Sequence, residues 1–425
     1  MAHPPTDVAA AESAGSSLPA PPRIRLGMVG GGDGAFIGAV HRAAARLDDQ
    51  YEFVAGALAS SADTALRSGR VLRLTEDRIY VDYVTMARCE ARRADGIEVV
   101  SIVTPNHLHA PVARAFLKAG IHVICDKPLA TTGRGARRLQ ALALKYGRIL
   151  AVTYSYTGYP MVRQARQMMA EGRLGALRSV QVEYAQEWLT EPLEATGHKQ
   201  AGWRSDPVRS GAGGCIGDIG SHAFHLAEFV TGQPVSELCA ELSRFVPGRR
   251  LDDNAQLLLR FAGGACGALW ASQVAPGNEN NLRLRVYGAK GGLEWRQEQP
   301  NQLQWSPFGE PTQTLARATA AAGTAAARVT RIPAGHPEGY LEAFATLYSE
   351  IAAAIRVARG PAGSGGHAAS EVDPAVQFPT VVDGVRGVHF IEAAVASSAR
   401  GARWVRLAPP LRPPPQLPTA PPLKP

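Results

Sequence analysis

Residues 97–130, IEVVSIVTPNHLHAPVARAFLKAGIHVICDKPLA, hold two short apolar runs separated by one helical stretch. Val99–Val103 and His122–Cys125 are too short for ordinary helices, and their unbroken apolar character suits strands of a parallel sheet buried on both faces. Between them Ala113, Phe116 and Leu117 recur at helical spacing, and Gly120 supplies the stop. A βαβ unit of this kind commits the chain to an open α/β sheet, whose ligands bind outside the carboxyl ends of the strands. Thr104-Pro105-Asn106 and Asp126-Lys127-Pro128 stand at two such ends, so they are candidate ligand contacts.

Lys127 is one of only six lysines beside thirty-nine arginines. An arginine cannot release its proton, whereas a lysine can shift its pKa and take part in proton transfer. The competing reading is a lysine that only snorkels at a strand end. Pro128 biases Lys127 to extended backbone, which lets its side chain point into a crevice.

The chain before this unit reads as the start of the same sheet. RIRLGMVG (residues 23–30) forms a strand, followed by GGGDGAFIGAVHRAAARL, a glycine-rich turn opening an amphipathic helix. Backbone amides at such a helix start face a pyrophosphate. Strict G-x-G-x-x-G spacing would put Ala35 third, so a lengthened turn is expected, opened by Gly30 and Gly32, with Gly38 allowing close packing. A second strand, Tyr51–Leu58, ends in Ala59-Ser60-Ser61, where an acidic residue would hold the ribose of NAD. Ser60 can hydrogen-bond a ribose, Asp63 is near, and Arg67 or Arg70 could meet a 2′-phosphate. NAD and NADP therefore both stay open, with the lean toward NAD. His107 and His109 in NHLH are read as helix-entry or cofactor contacts rather than metal ligands, which assigns His109 to the cofactor and predicts no metal. Helical segments are expected over 62–95 and Gly133–Tyr146, and a strand over Arg148–Tyr154 completes the doubly wound half.

Beyond Tyr156 the pattern changes. A helix over Met161–Glu171 precedes the strand-like VQVEYAQEWL, then GWRSDPVRSGAGGCIGDIGSHAFHLAEFVTG. Asp218, His222 and His225 fall at i, i+4 and i+7, on one helical face. Three readings fit: core histidines with a helix-entry Asp, a metal site, or His222 as a general base oriented by Asp218. Strands follow over Val235–Phe245, Asn254–Phe261, Ala265–Gln273, Leu282–Tyr287 and Gly292–Arg296, separated by Gly, Asn and Pro turns. They predict a large, mostly antiparallel sheet whose exposed face carries an apolar patch suited to homodimer or homotetramer assembly. Residues 313–328 read as an Ala-rich mobile stretch, followed by helices over Pro337–Ile355 and Val381–Ala399 with a Gly/Ser-rich loop between.

At 425 residues the chain exceeds one core. The expected division is a disordered leader (1–22), a nucleotide-binding domain (23–155), an α+β substrate and assembly domain (156–405) and a disordered Pro-rich tail (406–425). The formal charge of +8 comes from scattered arginines with no dense basic run, which argues against a nucleic-acid partner. Five cysteines, odd in number and without a CxxC pair, suit reduced thiols in the cytoplasm. The leader lacks the features of a secretory signal, and no apolar run is long enough to cross a membrane.

The ordered set of glycine turn, TPNHLH, CDKP and GDIGSH ahead of a helix resembles the Gfo/Idh/MocA family of nicotinamide-dependent oxidoreductases, over most of residues 23–405. The resemblance implies a Rossmann domain joined to a sheet-rich domain, with Lys127, Asp218 and His222 flanking the nicotinamide and Asp126 standing where the family usually has Glu. Within the family, EYAQEWLTEPLE, GWRSDP and GCIGDIGSH are similar to a branch of sugar and inositol dehydrogenases that includes levoglucosan dehydrogenase. That similarity makes Trp188, Trp203 and Arg204 sugar-pocket candidates, and His225 stands where many relatives have Asp. The implied reaction is NAD(P)-dependent oxidation of a secondary hydroxyl on a sugar, anhydrosugar or cyclitol. The same fold also serves NAD-dependent glycoside 3-oxidases and glycosidases, and a non-catalytic nucleotide sensor is a third possibility.

Overall fold

The computed structural model describes residues 21–359 and 372–408. Most of the leader expected over 1–22, the Gly/Ser-rich loop after 359 and most of the tail expected over 406–425 lie outside the described residues.

The first half is a five-stranded parallel sheet. Its strands are β1 (Ile24–Gly30), β2 (Tyr51–Ala57), β3 (Val99–Val103), β4 (His122–Cys125) and β5 (Leu150–Val152), in spatial order β2-β1-β3-β4-β5. The crossovers are α1 (Phe36–Leu47), α2 (Ala62–Val71), α3 (Tyr83–Glu90), α4 (Asn106–Lys118) and α5 (Gly133–Lys145). Strands β3 and β4 are buried along their whole length, as their continuous apolar sequences require.

The second half opens with α6 (Pro160–Ala170) and β6 (Leu177–Ala185), then α7 (Lys199–Arg204), α8 (Pro207–Ser210) and a π-turn (Ile216–Gly220) leading into α9 (Ser221–Thr231). Strands β7 (Val235–Ser243), β8 (Asn254–Phe261), β9 (Cys266–Ser272), β10 (Asn281–Gly288), β11 (Gly291–Arg296), β12 (Gln302–Pro307) and β13 (Gln313–Ala316) follow. After them come α10 (Thr324–Arg328), α11 (Tyr340–Arg359), α12 (Val381–Ser398) and β14 (Val405–Arg406). The nine strands of this sheet run β13-β12-β11-β10-β6-β9-β8-β7-β14 and pair antiparallel except β6 with β9. Inward side chains such as Val180, Val182 and Leu284 pack under Leu226, Val230 and Phe390 of the covering helices.

Several expectations change. VQVEYAQEWL is strand only to Ala185, so Trp188 sits in the following loop. Residues 313–328 are not a featureless mobile stretch: β13 pairs with β12, and Arg317 makes a buried ion pair with Glu338 at 2.9 Å. The open face of the large sheet is not a broad apolar patch. Glu183, Arg283, Arg285 and Glu294 form ion pairs across β6, β10 and β11, with Tyr287 exposed on β10 and Leu258 exposed on β8. Arg406 and Leu407, assigned by composition to the tail, belong to the sheet: Leu407 is buried, and its amide donates to Ser236 at 2.8 Å.

The last long helices return to the first half. Phe344, Leu347, Tyr348, Ile351 and Ile355 of α11 join Ile24, Leu26, Val99 and Ile124 in one apolar cluster, while Val385 and Val388 of α12 pack on the other side of that sheet. Val152 donates to Pro379 O at 2.9 Å, covering the β5 edge.

Candidate active site

Three features bring the carboxyl edge of the parallel sheet into shape for a dinucleotide. Gly30 and Gly31 turn the chain with φ of +82° and +73°. Gly31 and Gly38 then touch so closely that a side chain on either would overlap the other's backbone. Gly31, which sequence spacing passed over, is therefore the partner of Gly38 in this contact, while Gly30 lies against Val103 and Thr104 and Gly32 against Leu58. The start of α1 carries Ala35 as its cap with no side-chain hydrogen bond, so backbone amides at that end remain open to an anion. At the end of β3, Thr104 Oγ1 is buried without a partner, as a ligand hydroxyl or phosphate would require. The residues present thus fit NAD.

At the end of β2, Ser61 is occupied as the cap of α2, accepting from Thr64 N, and Arg70 is paired with Glu76. Ser60 is exposed, as are Asp63 and Arg67 in the first turns of α2. Asn106 begins α4 and donates from Nδ2 to Ser210 O at 2.9 Å, tying the loop after Pro105 to the second half of the chain. His109 differs from expectation. Its ring is buried, with Nδ1 2.7 Å from Pro128 O and Nε2 2.8 Å from Thr104 O, so both nitrogens face backbone carbonyls rather than the crevice. Burial keeps the ring toward its neutral form, in which one ring N–H donates to one of these two carbonyls.

Lys127 leaves β4 and crosses to the second half. Its ammonium lies 3.1 Å from Asp218 Oδ1 and also donates to the Asp218 backbone carbonyl. The other Asp218 oxygen receives Arg204 Nε at 3.1 Å and Gln273 Nε2 at 2.9 Å. Burial alone would raise this carboxyl, but the cations Lys127 and Arg204 hold it well below the usual carboxylate range.

The π-turn explains why Asp218 does not orient His222 as expected. Gly214 and Ile216 amides both bond the buried Asp252 carboxylate at 2.7 Å, and Gly214 packs against Asp252 so tightly that only glycine fits. The widened turn that follows sends the Asp218 side chain toward Lys127 and Arg204. Among the described residues, no hydrogen bond joins Asp218 to His222. The His222 ring instead stands edge-on to Tyr154 and Tyr156, at centroid distances of 5.6 and 4.9 Å, and its Nδ1 has no partner. Burial first, and then the Lys127 charge, push the imidazole pKa well below its ordinary value. The ring is therefore a neutral proton acceptor at neutral pH.

His225 also departs from its assignment to the substrate. One turn further along α9, it stacks on Tyr154 at 4.3 Å and approaches Asp383 of α12 at 3.5 Å, behind His222. The structure does gather Trp188, Trp203 and Arg204. The Arg204 guanidinium lies 4.2 Å from the Trp203 ring centre and 6.0 Å from that of Trp188 while it bonds Asp218. Tyr154, Tyr156, Tyr184, Gln273 and Asn280 were missed. Tyr156 bonds Tyr184, which donates to Asn280 Oδ1 at 2.8 Å, so a polar wall flanks His222. Only the cluster YSYTGY after the last short strand hinted at it.

Asp126 is held from behind. His41 Nε2 lies 3.2 Å and Thr153 Oγ1 2.5 Å from its Oδ1. Against the burial that would raise it, His41 and Thr153 keep its carboxyl down at about 2.

Comparison with known proteins places these groups in context. Residues 24–154 match a family model described as an oxidoreductase family with an NAD-binding Rossmann fold, and residues 162–294 match the GFO/IDH/MocA C-terminal domain. An uncharacterized oxidoreductase of Bacillus subtilis, YfiI, is 35% identical over 90% of this chain and 96% of its own. Crystal structures of an inositol dehydrogenase homologue from Azotobacter vinelandii, one with NAD+ and one with NADH and myo-inositol, are 38% identical. They cover 90% of this chain and 97% of theirs, with TM-scores of 0.84 and 0.82. Levoglucosan dehydrogenase of Pseudarthrobacter phenanthrenivorans is 31% identical over 49% of this chain and 57% of its own. Among the described residues no helix is long and apolar enough to cross a membrane.

Proposed function

The chain belongs to the Gfo/Idh/MocA family of NAD-binding oxidoreductases, and from that premise we propose that it oxidises a secondary hydroxyl of a neutral sugar, anhydrosugar or cyclitol. The observation that carries this reading is the meeting of Lys127 with Asp218 in front of a neutral His222, beside an indole–guanidinium wall. Aromatic faces suit the apolar faces of a sugar ring, and Arg204, Gln273 and Asn280 offer polar contacts to ring hydroxyls. The relatives named for inositol and levoglucosan support a polyol of this size.

When bound, NAD supplies the acceptor for hydride from the carbinol carbon. His222 takes the hydroxyl proton as the C–H bond breaks and the C=O bond forms. Lys127 stabilises the negative charge that develops on that oxygen, and Asp218 fixes the ammonium in place. Arg204 and the two indoles hold the ring. The test is a panel of inositols, hexoses, anhydrosugars and glycosides with NAD+, read as NADH formation. Lasting NADH accumulation with a free polyol is expected. No turnover anywhere on the panel overturns the reading, and sugar release from a glycoside without net NADH replaces it with a hydrolase.

We also propose that two copies pair through the open face of the large sheet, whose alternating Glu183, Arg285, Arg283 and Glu294 offer both signs to an identical face. Leu258→Glu, at a position 55% exposed on β8, is expected to lower the mass measured by light scattering to that of one chain. An unchanged mass removes this face from the assembly.

A further inference from the structure

His41 is fully buried, with its ring against Phe344 and Tyr348 and both ring nitrogens engaged by polar groups. It leaves the second turn of α1 and crosses beneath the sheet edge to Asp126. Its Nε2 stands 3.2 Å from Asp126 Oδ1, while its Nδ1 meets Ser101 Oγ and Tyr348 Oη, each at 2.9 Å. Those two hydroxyls are themselves 2.9 Å apart. The Asp126 carboxylate can only accept, so Nε2 carries a hydrogen and donates it to Oδ1, while Nδ1 is held by the two hydroxyls.

Asp126 Oδ1 is thereby saturated by His41 and Thr153, whereas Oδ2 has no partner among the described residues. The Asp126 side chain is 17% exposed, at the carboxyl end of β4 where the dinucleotide binds. Aspartate is a short side chain, and left alone its carboxylate could rotate about χ2 and present either oxygen. Pinning Oδ1 from behind removes that freedom.

We propose that His41 is a positioning residue that locks the Asp126 carboxylate, so that its second oxygen is presented to a hydroxyl of the bound NAD. The inference rests on NAD occupying this sheet edge and is independent of which polyol is oxidised. It assigns Ser101 and Tyr348 as the pair that orients the imidazole. Tyr348 brings in α11, so a helix from the far end of the chain takes part in holding the cofactor.

The test is titration with NADH followed by its fluorescence, which requires no polyol and so stands or falls separately from the substrate reading. His41→Phe is expected to weaken NADH binding about tenfold, the loss of one fixed charge-assisted hydrogen bond. His41→Gln keeps an N–H near the position of Nε2 and should stay within about threefold of the parent. In an Asp126→Ala background, His41→Phe should add nothing, because the two residues act on one contact. Parental affinity in His41→Phe overturns the proposal, as do independent, additive losses in the double variant. Should His41→Phe fail to fold, His41→Asn, too short to reach Asp126, is compared with His41→Gln, and equal affinities overturn it.

Discussion

The Lys127 ammonium and the Asp218 carboxylate, from opposite halves of the chain, lie 3.1 Å apart, and Asp218 is shared with Arg204 on its other oxygen. One carboxylate thus fixes both the ammonium that leaves β4 and the guanidinium that lies on the indoles. Charge compensation of this kind lets two positive groups coexist in one crevice.

Replacing Lys127 with Met removes the ammonium but keeps the length of the side chain. Turnover is expected to fall by at least about a hundredfold while NADH still binds. Steady-state kinetics beside an NADH titration checks it, and near-normal turnover would take Lys127 out of the reaction.

His222 needs to be neutral to accept a proton, and burial together with Lys127 displaces its pKa downward. Activity should therefore persist as pH falls through the ordinary histidine value of about 6.5 and decline only well below it. The measurement is kcat/KM against pH. An acid limb centred near the ordinary value would mean that the ring is solvated and carries its usual proton affinity.

Arg204 combines stacking on Trp203 with a hydrogen bond to Asp218, which a lysine cannot reproduce at one site. Arg204→Lys is expected to raise the KM for the polyol about tenfold, with NADH affinity unchanged. A parallel loss of NADH binding would move Arg204 from the substrate side to the cofactor side.

His122, at the start of β4, accepts a hydrogen bond from Ile149 N at 2.9 Å, and burial lowers its pKa to about 3. The unfolded chain binds this proton near pH 6.5 and the native chain does not, so stability is complete above that value and is lost as pH falls toward about 3. At pH 5 the loss from this one group is about 2 kcal/mol. His122→Asn, whose Oδ1 can accept the same bond, should flatten that part of the acid dependence, read as the change in denaturant midpoint between pH 7 and 5. An unchanged slope assigns the acid sensitivity to other groups.

The sheet of the first half was legible because its strands are buried on both faces, leaving unbroken apolar runs such as VVSIV, and because Gly30, Gly38 and Gly120 sit where the backbone has no alternative. Lys127 stood out by composition and by its place at a strand end. The direction of Asp218 was not legible. Spacing of four residues predicts a shared face only in a regular helix, and the start of the π-turn is tied through Gly214 and Ile216 to Asp252, a residue far along the chain. His225 failed for a related reason, since Asp383 and Tyr154 claim it from the other side. His41 carries no local signal, because its partners Ser101, Asp126 and Tyr348 are scattered over the whole sequence. Strand β12 alternates in register, with Leu303 and Trp305 inward, but its flanking prolines and shortness concealed it.

Because α11 supplies the covering layer for β1, β3 and β4, the nucleotide-binding half cannot be completed in order of synthesis. While the chain is being translated, Ile24, Leu26 and Val99 have only Val40, Ala44 and Ala45 of α1 against that flank until residues beyond 340 leave the ribosome. A truncated product ending near 155 would therefore be sticky rather than autonomous, and refolding should be slow relative to isolated βαβ proteins of similar size, because its decisive contact spans most of the polypeptide.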